Sequence, residues 1–157
     1  MADVVPADVR SRMMAGIRST NTKPELLLRR GLHARGLRFR LHDRSLAGTP
    51  DLVLPRWRAV VFAHGCFWHG HDCHLFKWPK TRDEFWRTKI DRNRAVDSRA
   101  DATLHEAGWR VATVWECALK GRTRLDHRVV LDTLAAWIRS DAPRVVIRGS
   151  DNTAEDA

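Results

Sequence analysis

The sequence predicts an α/β fold in which helices pack against a mixed β-sheet. Short β-branched and apolar runs alternate with longer segments of helical periodicity, in the order helix, three strands, helix, strand, helix. The chain has 157 residues, 43% of them hydrophobic and 30% charged, which suffices for one domain with an ordinary core. No repeat or interdomain linker interrupts it. We therefore expect one domain over residues 21–140, an N-terminal arm with a short helix over 1–20, and a tail over 141–157 that is peripheral except for the apolar residues 145–147.

The two long helices begin at N-terminal signals. Thr22 is an N-cap residue, followed by proline in the first turn and by Glu25 three residues later, and this helix should end at Gly36. Residues 81–84 form a second capping box, whose polar helix should extend to about Ala107. Both segments therefore predict helices with defined first turns.

Two apolar runs, 51–54 and 59–62, are separated by four residues and predict an antiparallel hairpin. Strand pairing around that turn places Asp51 across from Phe62 or Ala63. An acid at the start of one strand therefore meets the end of the next. The remaining elements are strands over residues 37–41 and 109–115 and an amphipathic helix over 125–138.

The charge of the chain indicates a polyanionic partner. Lys and Arg number 28 against 19 Asp and Glu, a net charge of +9, and 23 of the basic residues are arginine. Arginine presents a planar fork of donors that suits phosphates and guanine edges, so nucleic acid is the favoured partner. The alternative is a solvated surface in an arginine-rich sequence.

Cysteine usage and the lack of long apolar runs predict the compartment. Three cysteines are an odd number for a disulfide framework, and two of them lie among histidines, which favours zinc in a reducing environment. The sequence shows no secretory signal pattern, and no apolar run approaches about eighteen residues. We expect a cytoplasmic protein.

Residues 62–74 contain four of the eight histidines and two of the three cysteines. Zinc favours four tetrahedral Cys and His ligands, often in local pairs. The local candidates are Cys66, Cys73 and one or two of His69, His71 and His74. Cys117, at the end of a predicted strand, can complete the set, and spacing leaves the choice of histidine open. The alternative is that the cysteines are small buried hydrophobic residues.

The predicted hairpin gives Asp51 the position of an acid that binds a divalent cation. Magnesium in phosphodiester cleavage takes one or two carboxylates and keeps several waters. Glu25, in the first turn of the preceding helix, could reach the same edge. His64 and His69 could orient or deprotonate a metal-bound water, or protonate the leaving oxygen. Otherwise Asp51 caps a turn and Glu25 completes a capping box.

Some aromatic residues stand where a core has little room. Phe67 and Trp68 lie between candidate zinc ligands, and Trp86, Lys89 and Asn93 share one helix face. Such residues form either the edge of a core or a surface on which bases stack. The other tryptophans assigned to strand or helix core positions are Trp109, Trp115 and Trp137.

The chain combines several distinctive motifs: Pro50-Asp51, residues 62–69 with His71 and Cys73, residues 81–82 and 84–86, and residues 108–111 and 114–119. Together these motifs resemble those of the very short patch repair (Vsr) endonucleases. The resemblance covers most of residues 10–121. It implies a restriction-endonuclease-like three-layer core with a structural zinc, in a catalytic domain that carries out a Mg²⁺-dependent nick. The nick would fall 5′ of the thymine in a T·G mismatch left by deamination of 5-methylcytosine.

The resemblance also implies a role for each matching residue. Asp51 would bind magnesium together with the backbone carbonyl of Ala63, His69 would be the general base, and His64 and Glu25 would support it. The implied zinc ligands are Cys66, His71, Cys73 and Cys117. The implied wedge beside the mismatch is Phe67, Trp68 and Trp86, with Met14 and Ile17 of the N-terminal arm entering from the other groove.

One departure from the family pattern bears on the chemistry. Ala63 stands where the family often has threonine. Alanine can replace threonine if position 63 binds magnesium through its backbone carbonyl, but activity would be lost if a side-chain hydroxyl is required. The implied partners are double-stranded DNA with a T·G mismatch and other mismatch-repair proteins. The implied setting is a monomer in the bacterial cytoplasm, associated with the nucleoid when it acts. Two alternatives stay open: a zinc-stabilised DNA-binding module without activity, and a restriction-type endonuclease.

Overall fold

A five-stranded mixed sheet organises the computed structural model, which describes residues 22–150. The helices and strands are α1 (Lys23–Ala34), β1 (Arg40–Leu41), β2 (Leu52–Leu54), β3 (Ala59–His64), α2 (Asp83–Glu106), β4 (Arg110–Trp115), α3 (His127–Ile138) and β5 (Arg144–Ile147). The strands lie in the order β1-β2-β3-β4-β5. The first two pairs are antiparallel and the last two parallel, which confirms the predicted α/β class with a mixed sheet.

The hairpin of β2 and β3 has the predicted register. Leu52 pairs with Val61 and Leu54 with Ala59, so Asp51 lies beside the end of β3. The connection is a short 3-10 turn, Pro55–Trp57, closed by a left-handed residue. Since two paired strands fix which residues meet across them, this short turn determines the partner of Asp51.

The sheet is covered by helices on both faces. On one face, buried leucines of α1 and α3 pack on β2, β3 and β4; they include Leu28, Leu32, Leu131 and Leu134. On the other face, Leu104 of α2 packs with Val60, Phe62 and Val111. Alternate residues of β3 therefore enter two separate cores, as the two-residue period of a strand requires. The result is three layers.

Two predicted helix and strand starts differ from the observed ones. The strand predicted over 37–41 is reduced to Arg40–Leu41, because Leu37 is buried among core side chains rather than paired in the sheet. The capping box predicted at 81–84 does not form. Arg82, in a left-handed conformation, is the N-cap and makes no side-chain cap bond. Asp83 instead opens α2 with a negative charge, which the helix dipole favours.

The apolar residues that we excepted from the peripheral tail lie in an edge strand, β5. Residues Arg144–Ile147 pair in parallel with β4, and Ile147 enters the core. The β-branched run Val145–Ile147 satisfies backbone groups that β4 would otherwise leave unpaired at the sheet edge. Within residues 22–150, no helix is both long and apolar enough to cross a membrane. The predicted arm over 1–20, with Met14 and Ile17, lies outside the described residues.

Candidate metal centres and active site

Three cysteines and one histidine meet at the end of β3 and β4. Cys66, His71 and Cys73 come from the loop after β3, and Cys117 from the turn after β4. The Sγ atoms of Cys66 and Cys117 lie 3.5 and 3.6 Å from Nδ1 of His71. A tetrahedral zinc with ordinary Zn–S and Zn–N bonds holds such atoms about 3.6 Å apart. The donor set and its spacing therefore fit zinc.

The loop after β3 is shaped by local backbone bonds. The amide of His71 donates to the carbonyl of Cys66 at 2.9 Å, and the amide of Cys73 donates to the carbonyl of His71 at 2.9 Å. The ring of His71 stacks on Trp115, with centroids 4.0 Å apart. Trp115, which we assigned to the core, is half-buried and instead supports this histidine. Trp109 and Trp137 are buried as expected.

Burial keeps the sulfur–imidazole group neutral in the absence of a cation. It raises the pKa of the Cys66 and Cys117 thiols and lowers the pKa of His71 to about 4. A bound cation supplies the charge that thiolates need in such surroundings. The group could therefore hold a metal ion, whose charge would stabilise the thiolates.

The structure separates the histidines that spacing could not. His71 joins the three cysteines, whereas Nδ1 of His74 lies 3.4 Å from the hydroxyl of Thr123. His69 lies in a second group with His64 and Asp97, whose ligand atoms are all within 4.8 Å of one another. One short segment therefore contributes to two sites.

His64 and His69 form a stacked pair beside Asp97. Their rings lie 3.8 Å apart at an angle of 10°, and Nδ1 of His69 is 2.5 Å from Oδ2 of Asp97. Burial, reinforced by the charge of His69, lowers the pKa of His64 to about 3, so His64 is neutral at pH 7. Its Nδ1 has no hydrogen-bond partner among the described residues. A groove of about 270 Å³ opens beside His64 and Asp97.

Sequence reasoning missed Asp97, although its signal was present. The helix face that carries Trp86, Lys89 and Asn93 continues with Asp97 four residues further on. That face lies against the loop after β3. The side-chain amide of Asn93 donates to the carbonyl of Trp68 at 2.7 Å. The helix thus presents Asp97 to a histidine of that loop.

The third group lies at the start of β2. The carboxylate Oδ2 of Asp51 accepts a hydrogen bond from the Ala63 amide at 2.7 Å. Glu25, only 1% exposed, contacts Nε2 of His42 and lies 4.0 Å from Nη1 of Arg29. Ligand atoms of Glu25, His42 and Asp51 all lie within 4.8 Å of one another. His42 was not identified from the sequence.

Burial changes the acidity of Asp51. It raises the pKa of this carboxyl to about 6, opposed by the bond from the Ala63 amide and reinforced by the charge of Glu25. The charges of His42 and His69 act in the opposite direction. Asp51 is therefore largely ionised at pH 7 and largely protonated at pH 5. Because Ala63, whose amide Asp51 contacts, directly precedes His64, the Asp51 group adjoins the stacked histidines.

The predicted wedge residues form one aromatic cluster. The ring of Phe67 lies 5.1 Å from Trp68 and 5.3 Å from Trp86, and the two tryptophans are 5.9 Å apart. All three are half-buried rather than in the core. A groove of about 420 Å³ lies on the same helix, lined by Glu84, Phe85, Thr88, Lys89, Arg92 and Asn93. The aromatic cluster therefore adjoins Lys89 and Asn93, the two polar residues that we predicted on the same helix face.

Comparison with known proteins identifies relatives of the chain. The family model of DNA mismatch endonuclease Vsr matches residues 2–75. The chain is 48% identical to DNA mismatch endonuclease Vsr of Escherichia coli (strain K12) over 138 residues, 88% of each protein. It is also 48% identical to Type II nicking enzyme V.XorIIP of Xanthomonas oryzae pv. oryzae over 129 residues, 82% of this chain and 95% of that one. Type II nicking enzyme V.NmeAIP of Neisseria meningitidis is 42% identical, over 82% and 92%. The chain belongs to the Vsr DNA mismatch endonuclease family.

Proposed function

We propose that this protein is a Mg²⁺-dependent endonuclease that nicks one DNA strand 5′ of the thymine in a T·G mismatch. The observation that carries the proposal is geometric: the acid Asp51 is hydrogen-bonded to the Ala63 amide, one residue before His64, which stacks on His69. A module that only binds DNA needs no such acid and base. The names of the relatives, a mismatch endonuclease and nicking enzymes, support DNA as the substrate and a nick as the product.

The proposed cation site is the edge formed by Asp51 and the backbone of Ala63. The bond from the Ala63 amide uses one carboxylate oxygen and fixes the plane of the group. Magnesium, when bound there, polarises the scissile phosphate and makes a water molecule more acidic. Position 63 acts in this arrangement through its backbone, so alanine is sufficient.

His69 is the proposed general base. Because Asp97 engages Nδ1, the other ring nitrogen, Nε2, is left to accept a proton. His64 is neutral and stacked flat on His69, which restricts the orientation of the base. Glu25 supports the cation site through its contact with His42. A proton accepted at Nε2 of His69 is thus stabilised by the carboxylate of Asp97.

The zinc site has a proposed structural role. Its proposed ligands are Cys66, His71, Cys73 and Cys117. The segment between Cys66 and His71 contains the general base and two wedge aromatics. Zinc would therefore hold the general base and the two aromatic residues in position, in a loop that has little apolar content of its own.

The aromatic cluster is the proposed wedge. Phe67, Trp68 and Trp86 would enter the base stack beside the mismatch, where unstacking a step costs a few kcal/mol and a mispair is easier to open than a matched pair. Lys89 and Asn93 would lie beside the DNA backbone. Met14 and Ile17, in the N-terminal arm, would enter the DNA from the opposite groove. We extend the proposal to a monomer that acts on bacterial chromosomal DNA and meets other mismatch-repair proteins.

The test is a strand-resolved nicking assay. The zinc-loaded protein is incubated with Mg²⁺ and duplexes that carry one T·G pair in randomised flanks, each strand labelled separately. We expect a single nick in the thymine strand and no product from Asp51→Ala. Binding without a nick in any context would favour the inactive DNA-binding module. Cutting of both strands in matched duplexes would favour a restriction-type enzyme.

A further inference from the structure

His42 occupies a position that the sheet itself sets opposite Asp51. β1 pairs with β2 so that Leu41 meets Leu52, and the same register, continued by one residue, sets His42 opposite Asp51. The amide of His42 donates to the carbonyl of Asp51 at 3.2 Å. Backbone pairing therefore holds this imidazole beside the acid that the proposed function uses.

The backbone of His42 is in an unusual conformation. Its φ of 48° lies in the left-handed region, which residues with a Cβ rarely adopt and which is retained where surrounding contacts impose it. The conformation turns the chain out of β1. The side chain meets Glu25 in the first turn of α1, so sheet and helix together define the position of the ring.

Three possible metal ligands meet at this edge of the sheet: the carboxylates of Glu25 and Asp51 and the imidazole of His42. Their ligand atoms lie within 4.8 Å of one another, and opposite ligands of an octahedral magnesium-sized cation are about 4.2 Å apart. Small side-chain adjustments would bring all three to one ion. Two carboxylates and water suit magnesium, whereas an added imidazole favours first-row transition metals.

We propose that His42 is a nitrogen ligand of the active-site cation, which lies between Glu25 and Asp51. The site would accept Mg²⁺ but bind Mn²⁺ or Co²⁺ more tightly. This inference rests on the proposed function only in taking Asp51 as the acid that binds the cation. The occupant is a divalent ion with affinity for both oxygen and imidazole nitrogen.

The direct test is pulsed EPR on Mn²⁺ bound to the zinc-loaded protein in the absence of DNA. A ligated imidazole couples its nitrogen nucleus to the Mn²⁺ electron spin. Labelling with ¹⁵N-histidine identifies the signal without any substitution. We expect the coupling in the unaltered protein. We expect it to vanish in His42→Gln and in Asp51→Asn, and to persist in His33→Gln, whose histidine is exposed at the end of α1.

Competition by Mg²⁺ gives the second readout. His42→Gln should weaken Mn²⁺ binding about tenfold and Mg²⁺ binding much less. Equal losses of affinity for both ions would show that His42 only positions Glu25. No loss of affinity would show that His42 neither binds the cation nor positions Glu25. Either result overturns the proposal, and so does the absence of nitrogen coupling in the unaltered protein. Because no DNA is present, a protein that shows the coupling yet fails to nick a T·G duplex would contradict the proposed function alone.

Discussion

Replacement of Asp97 by asparagine tests how the candidate base is positioned. The carboxylate lies 2.5 Å from Nδ1 of His69, and the two side chains are 28% and 24% exposed. A hydrogen bond between charged groups contributes about 1.5–3 kcal/mol, and partial exposure favours the middle of that range. Asparagine keeps the shape but removes the charge that stabilises a protonated imidazole. We expect a loss of about 2 kcal/mol.

That loss should appear in the chemical step. About 2 kcal/mol corresponds to a roughly thirtyfold lower single-turnover rate, with affinity for a T·G duplex changed less than about threefold. Asp91→Asn, on the same helix but mostly exposed, is the matched control and should keep the full rate. The reasoning is refuted if Asp97→Asn nicks at the unaltered rate, or if it loses DNA binding while retaining its rate on bound substrate.

Asp51, Gly149 and Phe67 each offer a further test. Because burial raises the pKa of Asp51 to about 6 from 3.8, its carboxylate destabilises the fold at neutral pH, and this cost disappears as the pH falls through 6 towards 3.8. Asp51→Asn should therefore raise the free energy of unfolding by on the order of 2 kcal/mol at pH 7 and little at pH 4, measured by urea denaturation; equal gains at both values would contradict the burial argument. Gly149→Ala should weaken zinc about tenfold in chelator competition, because its Cβ would lie 2.5 Å from the Cys117 carbonyl and displace the amide that donates to Cys117 Sγ at 3.3 Å. Gly65→Ala, whose added Cβ meets nothing closer than 3.5 Å, should not weaken zinc. Phe67→Ala should reduce the preference for T·G over matched duplex in fluorescence anisotropy, and an unchanged preference would remove Phe67 from the wedge.

The hairpin could be predicted from the sequence because a short turn and a two-residue period leave few registers. Asp51 therefore fell beside Ala63 as expected. The choice among histidines could not be made, because residues 66–74 form a loop whose path depends on bonds such as that from the His71 amide to Cys66. No periodic pattern in the sequence predicts the path of such a loop. The sequence left three histidines as candidate ligands, and the tertiary fold brings His71 to the three cysteines.

The missed residues share a physical reason. His42 reaches its place through pairing of β1 with β2 across a ten-residue connection, and Asp97 reaches His69 from the middle of α2. Helical spacing places Asp97 on the face of Trp86, Lys89 and Asn93. Spacing along the chain does not encode which side chains that face, or the end of β1, will meet in the fold. Residues 145–147 stand out in the sequence as an apolar run, but they were not predicted as a strand. Four residues carry little strand signal until β4 offers them a partner.

Mapping the cut at nucleotide resolution tests the central claim most directly. That claim is that the proposed hydrolytic centre of Asp51, His64 and His69 nicks only the thymine strand at a T·G mismatch. With Mg²⁺ and a duplex carrying one T·G pair, we predict a single break 5′ of the thymine and an intact guanine strand. Breaks in both strands, or equal cutting of the same duplex with a T·A pair, would contradict it.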